Sequence, residues 1–247
     1  MAWRTGSLLV VLVAWEIIGR SGLNPVFPSL TSTLAALWTL VLNGQLFSAV
    51  WLSSLTLMAG FGVSLATGIP LGLLMGRYRS VAKLAGPYIA ALMAAPSVAY
   101  IPLLVIWFGT GLASRIMVVY LFAFFPVVIN TEAGVRNSDA RLVEMARSLL
   151  ATPRQIFLKV VLPAAIPLIF AGVRLSLGRA VKGMVNAEML ITLVGMGGLI
   201  RFYGSSFQTD FALALTLTVV IFAVVLTMLL RMLDRVMTRW MPEVSRA

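Results

Sequence analysis

Three polar side chains recur along one apolar segment of this 247-residue chain. Arg179, Lys182 and Asn186 stand three and four residues apart, so at about 100° per residue they share one narrow face of a helix. Charged groups inside a membrane segment usually face a cavity and mark a pathway. We therefore expect this face to let an anion such as a sulfonate or a carboxylate pass.

Two further residues are candidates for the same pathway, Arg174 on the same segment and Tyr100 on an earlier one. A structural role is the alternative for both kinds of side chain. The cations could extend to the membrane interface, or pair with Glu188 or Glu132, and the aromatic ring could serve packing alone.

Catalytic chemistry finds little support in the composition, because the chain contains no histidine and no cysteine. Disulfides, Cys- or His-based metal sites, imidazole acid–base chemistry and thiol nucleophiles are therefore excluded. The phosphate-binding pattern G-x4-G-K-[ST] is also absent from the sequence. We predict no catalytic residue, no metal site and no cofactor in this chain.

A charged interruption runs from Asn137 to Pro163 between apolar segments. Ser138 is the expected N-cap of a first short helix, with Asp139 in its first turn, where the helix dipole favours an acid. The apolar residues that follow recur at helical spacing and predict one stripe: Leu142, Met145, Ala146 and Leu149. This pattern indicates an exposed amphipathic element over about residues 138–162.

A second helix start follows at once, with Thr152 as the cap and Pro153 at the first helical position. The apolar face of this second helix consists of Ile156, Phe157, Val160 and Val161. The interruption therefore predicts two short helices with a bend between them.

The remaining sequence is typical of a polytopic membrane protein. It is 60% hydrophobic and 11% charged, with a mean hydropathy of +1.01, whereas soluble proteins carry about 25% charged residues. Because a spanning helix needs about 20 apolar residues, we expect an all-α fold, one domain over residues 1–247, with about six spans. These are 7–19, which resembles a signal peptide but lacks a cleavage site, and 48–76, 84–108, 116–131, 163–189 and 211–230.

Between the first two spans, Pro28 and Ser29 open a short helix that we place on the outer surface. The series Gly68, Gly72 and Gly76 permits close approach of another helix, or serves ordinary packing. Prolines within the spans free backbone carbonyls that need a protein or a wet cavity around them, which favours a transport pathway.

The net charge of +11 is assigned to membrane orientation rather than to nucleic acid. With both termini in the cytoplasm, 13 of the 19 lysines and arginines lie on that side. These are Arg4, Arg77, Arg79, Lys83, Arg136, Arg141, Arg147, Arg154, Lys159, Arg231, Arg235, Arg239 and Arg246.

The interruption resembles the E-A-A motif of the permease subunits of ATP-binding-cassette (ABC) importers. The matching positions are Glu144, Ala146, Val160, Leu162 and Pro163, whereas Met145 replaces an alanine and Leu150 replaces a glycine. The stretches ARSLLATPRQIFLKVVLPAAIPLIFAGVRLSLGRA, GMGGLI and PLLVIWFGTG are similar to the nitrate/sulfonate/taurine branch of these importers.

The resemblance implies a type I importer permease in a bacterial inner membrane. It implies a second permease copy, a cytoplasmic ATPase dimer that holds ATP and Mg²⁺, and an external substrate-binding protein. The solute would be a small organic anion. Glu144 and Arg147 would contact the ATPase through polar groups, while Met145, Ala146 and Leu149 pack against it.

Leu150 is the departure with a physical cost, because leucine is strained by roughly 1–2 kcal/mol in a left-handed turn that glycine adopts freely. We expect the bend to move to Ala151–Thr152, where a new helix start already exists.

Two other function classes compete with the permease interpretation. A secondary transporter would favour carboxylates within spans and an internal repeat, yet only Glu16 and Glu188 come close and no repeat is evident. An intramembrane enzyme would need acid–base groups that the chain lacks. The 138–162 segment could also lie on anionic lipid as an interfacial helix.

Overall fold

The chain is all-helical in a computed structural model that describes residues 2–21 and 26–237. Within those ranges there are eleven α-helices and no strand. The helices are α1 (Ala2–Arg20), α2 (Leu30–Leu42), α3 (Gln45–Arg77), α4 (Arg79–Ala94), α5 (Tyr100–Phe108), α6 (Leu112–Arg136), α7 (Ala140–Ser148), α8 (Pro153–Ile156), α9 (Leu162–Ala187), α10 (Gly195–Ser205) and α11 (Thr209–Met237). A 3₁₀ turn spans Ser97–Ala99, and π-helical turns span Phe157–Val161 and Glu188–Thr192. Arg239 and Arg246, two of the cations assigned to the cytoplasm, lie outside the described residues.

Four helical segments of the described chain are long and apolar enough to cross a membrane: Gln45–Arg77, Leu112–Arg136, Pro153–Thr192 and Thr209–Arg235. A fifth span arises only if Arg79–Ala94 and Ser97–Phe108, which are bent by 92° to one another, count as one. The helix at Ala2–Arg20 is not among them. The predicted number of six spans is therefore not confirmed.

The segment of the predicted span over 84–108 is not one straight helix, because the chain breaks at Pro96. The carbonyl of Leu92 would bond to the N–H of residue 96 in a continuing helix, and proline has none. The hydroxyl of Tyr100 donates to that carbonyl instead, at 2.9 Å. The side chain therefore satisfies a backbone group that the proline leaves open.

One compact unit comprises residues 1–55 and 185–222. Its core joins α2, α10 and α11 through Leu40, Tyr203 and Leu215. Tyr203 stacks on Phe211 with ring centroids 4.8 Å apart, and its hydroxyl bonds to the side-chain oxygen of Gln45 at 2.9 Å. As predicted, α2 is a short helix that begins just after Pro28 and Ser29, and its N-cap is Ser29.

The other compact unit comprises residues 56–184 and 223–247. Of the two interpretations of the glycine series, the structure shows the close approach, because α6 lies directly against α3. A Cβ atom added to Gly72 would lie 2.6 Å from Cβ of Thr131, and one added to Gly76 would lie 2.5 Å from Cβ of Val135. Side chains at these positions would therefore force the two helices apart.

A neighbouring face of α6 packs on α9 in the same unit. A Cβ atom added to Gly172 would lie 2.5 Å from Cβ of Asn130, and one added to Gly183 would lie 2.8 Å from the ring of Phe122. Helix α6 thus packs on both α3 and α9, which fixes the ends from which the 138–162 segment leaves and returns.

Candidate functional site

The first short helix of the interruption begins one residue later than predicted. Asp139, not Ser138, is the N-cap of α7, and its carboxylate accepts the backbone N–H of Arg141 at 2.9 Å. The hydroxyl of Ser138 donates to the carbonyl of Val135, near the end of α6. The serine is therefore used by the preceding helix, which leaves the cap to the neighbouring aspartate.

The bend after α7 occurs at Leu150, so the expectation that it moves to Ala151–Thr152 was wrong. Leu150 has a φ of 57°. Its N–H donates to the carbonyl of Arg147 at 2.9 Å, and the N–H of Ala151 donates to that of Ala146 at 3.1 Å. These two bonds form a Schellman motif, which satisfies carbonyls at the helix end and outweighs the strain of a left-handed leucine.

The apolar residues around this bend point away from the rest of the chain. Leu150 is 91% exposed and Leu149 75% exposed, and Met145 is exposed as well. Ala146 differs, because it is only 8% exposed and packs inside its own chain. It therefore does not belong to the outward surface on which we expected it. We call Met145, Leu149 and Leu150 the exposed apolar edge.

The second short helix begins as predicted. Thr152 is the N-cap of α8, and Pro153 occupies the first turn. The threonine hydroxyl accepts the N–H of Gln155 at 3.3 Å, and the Gln155 side chain accepts the N–H of Thr152 at 2.8 Å. This capping box starts a new helix two residues after Leu150, so the bend is closed by bonds on both sides.

The segment is held to the end of α3 by an aromatic contact. The guanidinium of Arg77 lies 4.5 Å from the ring centroid of Phe157, in the π-helical turn that follows α8. A cation over an aromatic face contributes about 0.5–1 kcal/mol at an exposed site. Because α3 is a candidate membrane span, this contact joins the short helices to a span.

The predicted pathway residues on α9 do not all have the same surroundings. Arg179 and Lys182 are exposed, and Asn186 is half-buried. Arg174 pairs instead with Asp234 of α11, a partner that lies 60 residues further along the chain and was not among the expected ones. The structure therefore leaves the two cations Arg179 and Lys182 on the open face and gives Arg174 a structural contact.

Sequence reasoning missed a buried cation on α6. Arg115 is 9% exposed, and its guanidinium lies 3.4 Å from the hydroxyl of Thr56. The only signal for it was an arginine directly before the apolar run of the predicted 116–131 span. A buried arginine in such a position is costly, so its neighbours in the fold decide whether it is tolerated.

The glycine-rich stretch after α9 forms the first turn of α10, and the protein's own carboxylate occupies it. Glu188 is buried and accepts the hydroxyl of Ser53 and the N–H of Gly197, both at 2.9 Å. The N–H of Met196 donates to the hydroxyl oxygen of Ser53 at 3.0 Å. Gly195 has a φ of +69°, and a Cβ atom there would lie 2.5 Å from the carboxylate carbon. Glu188 and Ser53 thus cap α10.

Residues 68–241 match the family described as binding-protein-dependent transport system inner membrane component. The chain is 36% identical over 216 residues to the putative aliphatic sulfonates transport permease protein SsuC of Bacillus subtilis, with 86% of this chain and 78% of that protein covered. It is 34% identical over 216 residues to the taurine transport system permease protein TauC of Escherichia coli, covering 85% and 78%. It is 32% identical over 219 residues to the riboflavin transport system permease protein RibX of Chloroflexus aurantiacus, covering 87% and 81%.

Among solved structures, an inward-facing conformation of the MetNI methionine ABC transporter has a similar fold. The TM-score is 0.63 at 21% sequence identity, with 80% of this chain and 96% of that chain covered.

Proposed function

From the premise that this chain belongs to the family of binding-protein-dependent transport system inner membrane components, and is a permease subunit of an ABC importer, we propose that it conducts a small organic sulfonate. Two of the relatives are named for aliphatic sulfonates and for taurine, but another is named for riboflavin. The names of the relatives alone therefore do not identify the solute of this chain. Support for a sulfonate has to come from a feature of the chain itself.

The observation that carries the proposal is the pair of exposed cations on α9, Arg179 and Lys182. Neither forms an ion pair with a carboxylate of the described residues. Gly178, beside Arg179, has no atom within 4 Å of a Cβ position, so the face has room next to the charges. Cations in a region of low dielectric attract an anion far more strongly than they would in water.

The driving force for this transport comes, in our proposal, from a separate ATPase dimer that binds ATP and Mg²⁺. The exposed apolar edge and the exposed polar residues Glu144 and Arg147 form the surface that the ATPase contacts. Neither Glu144 nor Arg147 forms an ion pair within residues 2–21 and 26–237. Their charges are therefore available to a partner. A second copy of this chain completes the pathway, and an external binding protein delivers the solute.

The proposed membrane orientation places both termini in the cytoplasm of a bacterial cell, with the chain crossing the inner membrane several times. Arg77 ends α3, Arg136 ends α6, and Arg231 and Arg235 lie in the last turns of α11. Cations of short loops and span ends collect on the cytoplasmic side. The same orientation puts the 138–162 segment where an ATPase can reach it.

Uptake by the reconstituted importer tests the solute assignment. Proteoliposomes holding the permease with its ATPase, and supplied with its binding protein, should accumulate labelled taurine or an alkanesulfonate in an ATP-dependent manner. Lys182→Met should lower the initial rate about tenfold, the equivalent of 1.4 kcal/mol, and Lys182→Arg should restore most of it. Arg201→Met removes an exposed cation of α10 and is the control, with an unchanged rate.

Two results would contradict the proposal. One is uptake of neutral riboflavin with no uptake of any sulfonate. The other is a Lys182→Met importer that transports sulfonates at the rate of the unsubstituted protein, which would reduce the cation pair to a structural feature.

A further inference from the structure

An arginine-lined cavity lies between the ends of α3 and α6 and the two short helices. Its volume is about 730 Å³, and four guanidinium groups line it, those of Arg77, Arg79, Arg136 and Arg147. Glu144 is the carboxylate on its wall. A cavity of this size is in the range that holds a small ligand or the headgroup of a lipid.

A second cavity of about 430 Å³ shares Arg79 and Arg136 with the first and adds Lys83 and Glu132 to the lining. The two cavities together bring five cations and two carboxylates into one region, a net charge of +3. One of the carboxylates, Glu132, is already paired with Arg136 at 2.9 Å. The excess of cations is therefore largely uncompensated by the chain itself.

Two of the guanidinium groups, those of Arg77 and Arg79, are open to a ligand, whereas the charge of Arg147 is assigned above to the ATPase contact. In the described part of the chain, no ion pair is formed by Arg77, Arg79 or Arg147. The planar guanidinium group donates two parallel hydrogen bonds to a phosphoryl group, a geometry that lysine cannot supply. Several of them around one cavity are therefore suited to phosphate oxygens.

The position of the cavity favours the phosphate group of a lipid over a phosphate in solution. Arg77 is the last residue of α3 and Arg136 the last residue of α6, and both helices are candidate membrane spans. The ends of spans lie at the level of the lipid headgroups. Apolar residues also line the cavity, among them Ile156, Phe157 and Val161, which suits the glycerol and first methylene groups of a lipid.

We propose that this cavity binds the phosphate-bearing headgroup of an anionic phospholipid. The lipid would touch the end of α3, the end of α6 and the 138–162 segment at once. It would thereby stabilise the short helices in the position from which they leave the membrane. This inference is independent of the solute that the importer carries.

The test uses the assembled importer in nanodiscs made from equal amounts of phosphatidylglycerol and phosphatidylcholine. The lipids that remain after a detergent wash are identified by native mass spectrometry. Phosphatidylglycerol should be retained preferentially. One surface cation contributes about fivefold to binding of an anionic lipid, so Arg79→Gln should weaken retention about fivefold and Arg79→Glu about 25-fold.

Arg154→Gln and Arg154→Glu are the matched controls, because Arg154 is exposed on α8 but does not line either cavity. Their retention should stay within twofold of the unsubstituted protein. Arg79 is itself exposed, so its substitution leaves no buried group unsatisfied.

Three outcomes would overturn the proposal. Equal retention of both lipids, or equal loss with the Arg79 and Arg154 variants, would show that the cavity has no specific lipid. Displacement of the lipid by millimolar inorganic phosphate would reassign the site to a soluble phosphate. Retention by the isolated permease that disappears in the complex would show that an acidic segment of the ATPase fills the cavity.

Discussion

Leu150 permits a test in which stability and assembly change in opposite directions. Replacing it with glycine relieves the left-handed strain of about 1–2 kcal/mol, and the greater freedom of glycine in the unfolded chain returns about 0.5–1 kcal/mol of that. Because Leu150 is 91% exposed, no packing within the chain is lost. Leu150→Gly should therefore stabilise the isolated permease by about 0.5–1 kcal/mol, a rise in Tm of roughly 2 °C.

Assembly with the ATPase should respond in the opposite sense. If Leu150 is buried by the partner, its loss removes the hydrophobic free energy of one leucine, about 1.5–3 kcal/mol. That corresponds to an affinity weakened about 10- to 150-fold. The affinity is measured by titrating the purified ATPase onto the full-length permease in nanodiscs, and the Tm by thermal unfolding of the same sample.

Phe207 provides the matched control for this experiment. It has a φ of 56°, is 80% exposed, and ends α10 with the same two hydrogen bonds, from Phe207 to Gly204 and from Gln208 to Tyr203. Phe207→Gly should raise the Tm by a similar amount without any change in ATPase affinity.

The reasoning is refuted in two separable ways. A Leu150→Gly permease that is less stable than the original would mean that the strain estimate is wrong. A more stable permease with unchanged ATPase affinity would mean that the exposed apolar edge is not the contact surface.

Two further predictions concern the packing of the spans. Gly72→Ala adds a Cβ atom 2.6 Å from Cβ of Thr131 and should destabilise the permease by about 1–3 kcal/mol. The control is Gly62→Ala, which has nothing within 4 Å and should leave the Tm unchanged or slightly raised. Equal Tm values for the two variants would contradict the close approach of the helices. Arg174→Gln and Asp234→Asn should each lower the free energy of unfolding. The double variant should lower it by about 0.5–3 kcal/mol less than the sum of the two single changes. Additive changes would show that the ion pair contributes nothing.

The sequence predicted those features that depend on local chemistry. The glycine series permitted the approach of another helix because small residues four apart occupy one helix face, and Thr152–Pro153 predicted the start of α8 because cap and first-turn preferences act within four residues. Hydropathy likewise indicated that the chain crosses a membrane several times, although it did not give the number of spans.

The remaining features depend on contacts between residues far apart in the sequence, or on opposing free energies of nearly equal size. The pairing of Arg174 with Asp234 joins residues 60 positions apart, which one sequence does not reveal. The break at Pro96 was visible as a proline, but not the hydroxyl of Tyr100 that makes a 92° bend tolerable. At Leu150 a strain of about 1–2 kcal/mol opposed two backbone hydrogen bonds of about 1 kcal/mol each, and the sign of that difference could not be predicted.

The cap on α10 has a consequence for the biogenesis of the protein. Ser53 emerges from the ribosome 135 residues before Glu188, and the N–H of Gly197 follows the glutamate by nine residues. Until residues 195–197 form the first turn of α10, the Glu188 carboxylate lacks the backbone donor of that turn, and burying it without that donor costs several kcal/mol. The first turn of α10 and the burial of Glu188 beside Ser53 therefore have to form together, so that residues 188–197 fold as one cooperative unit.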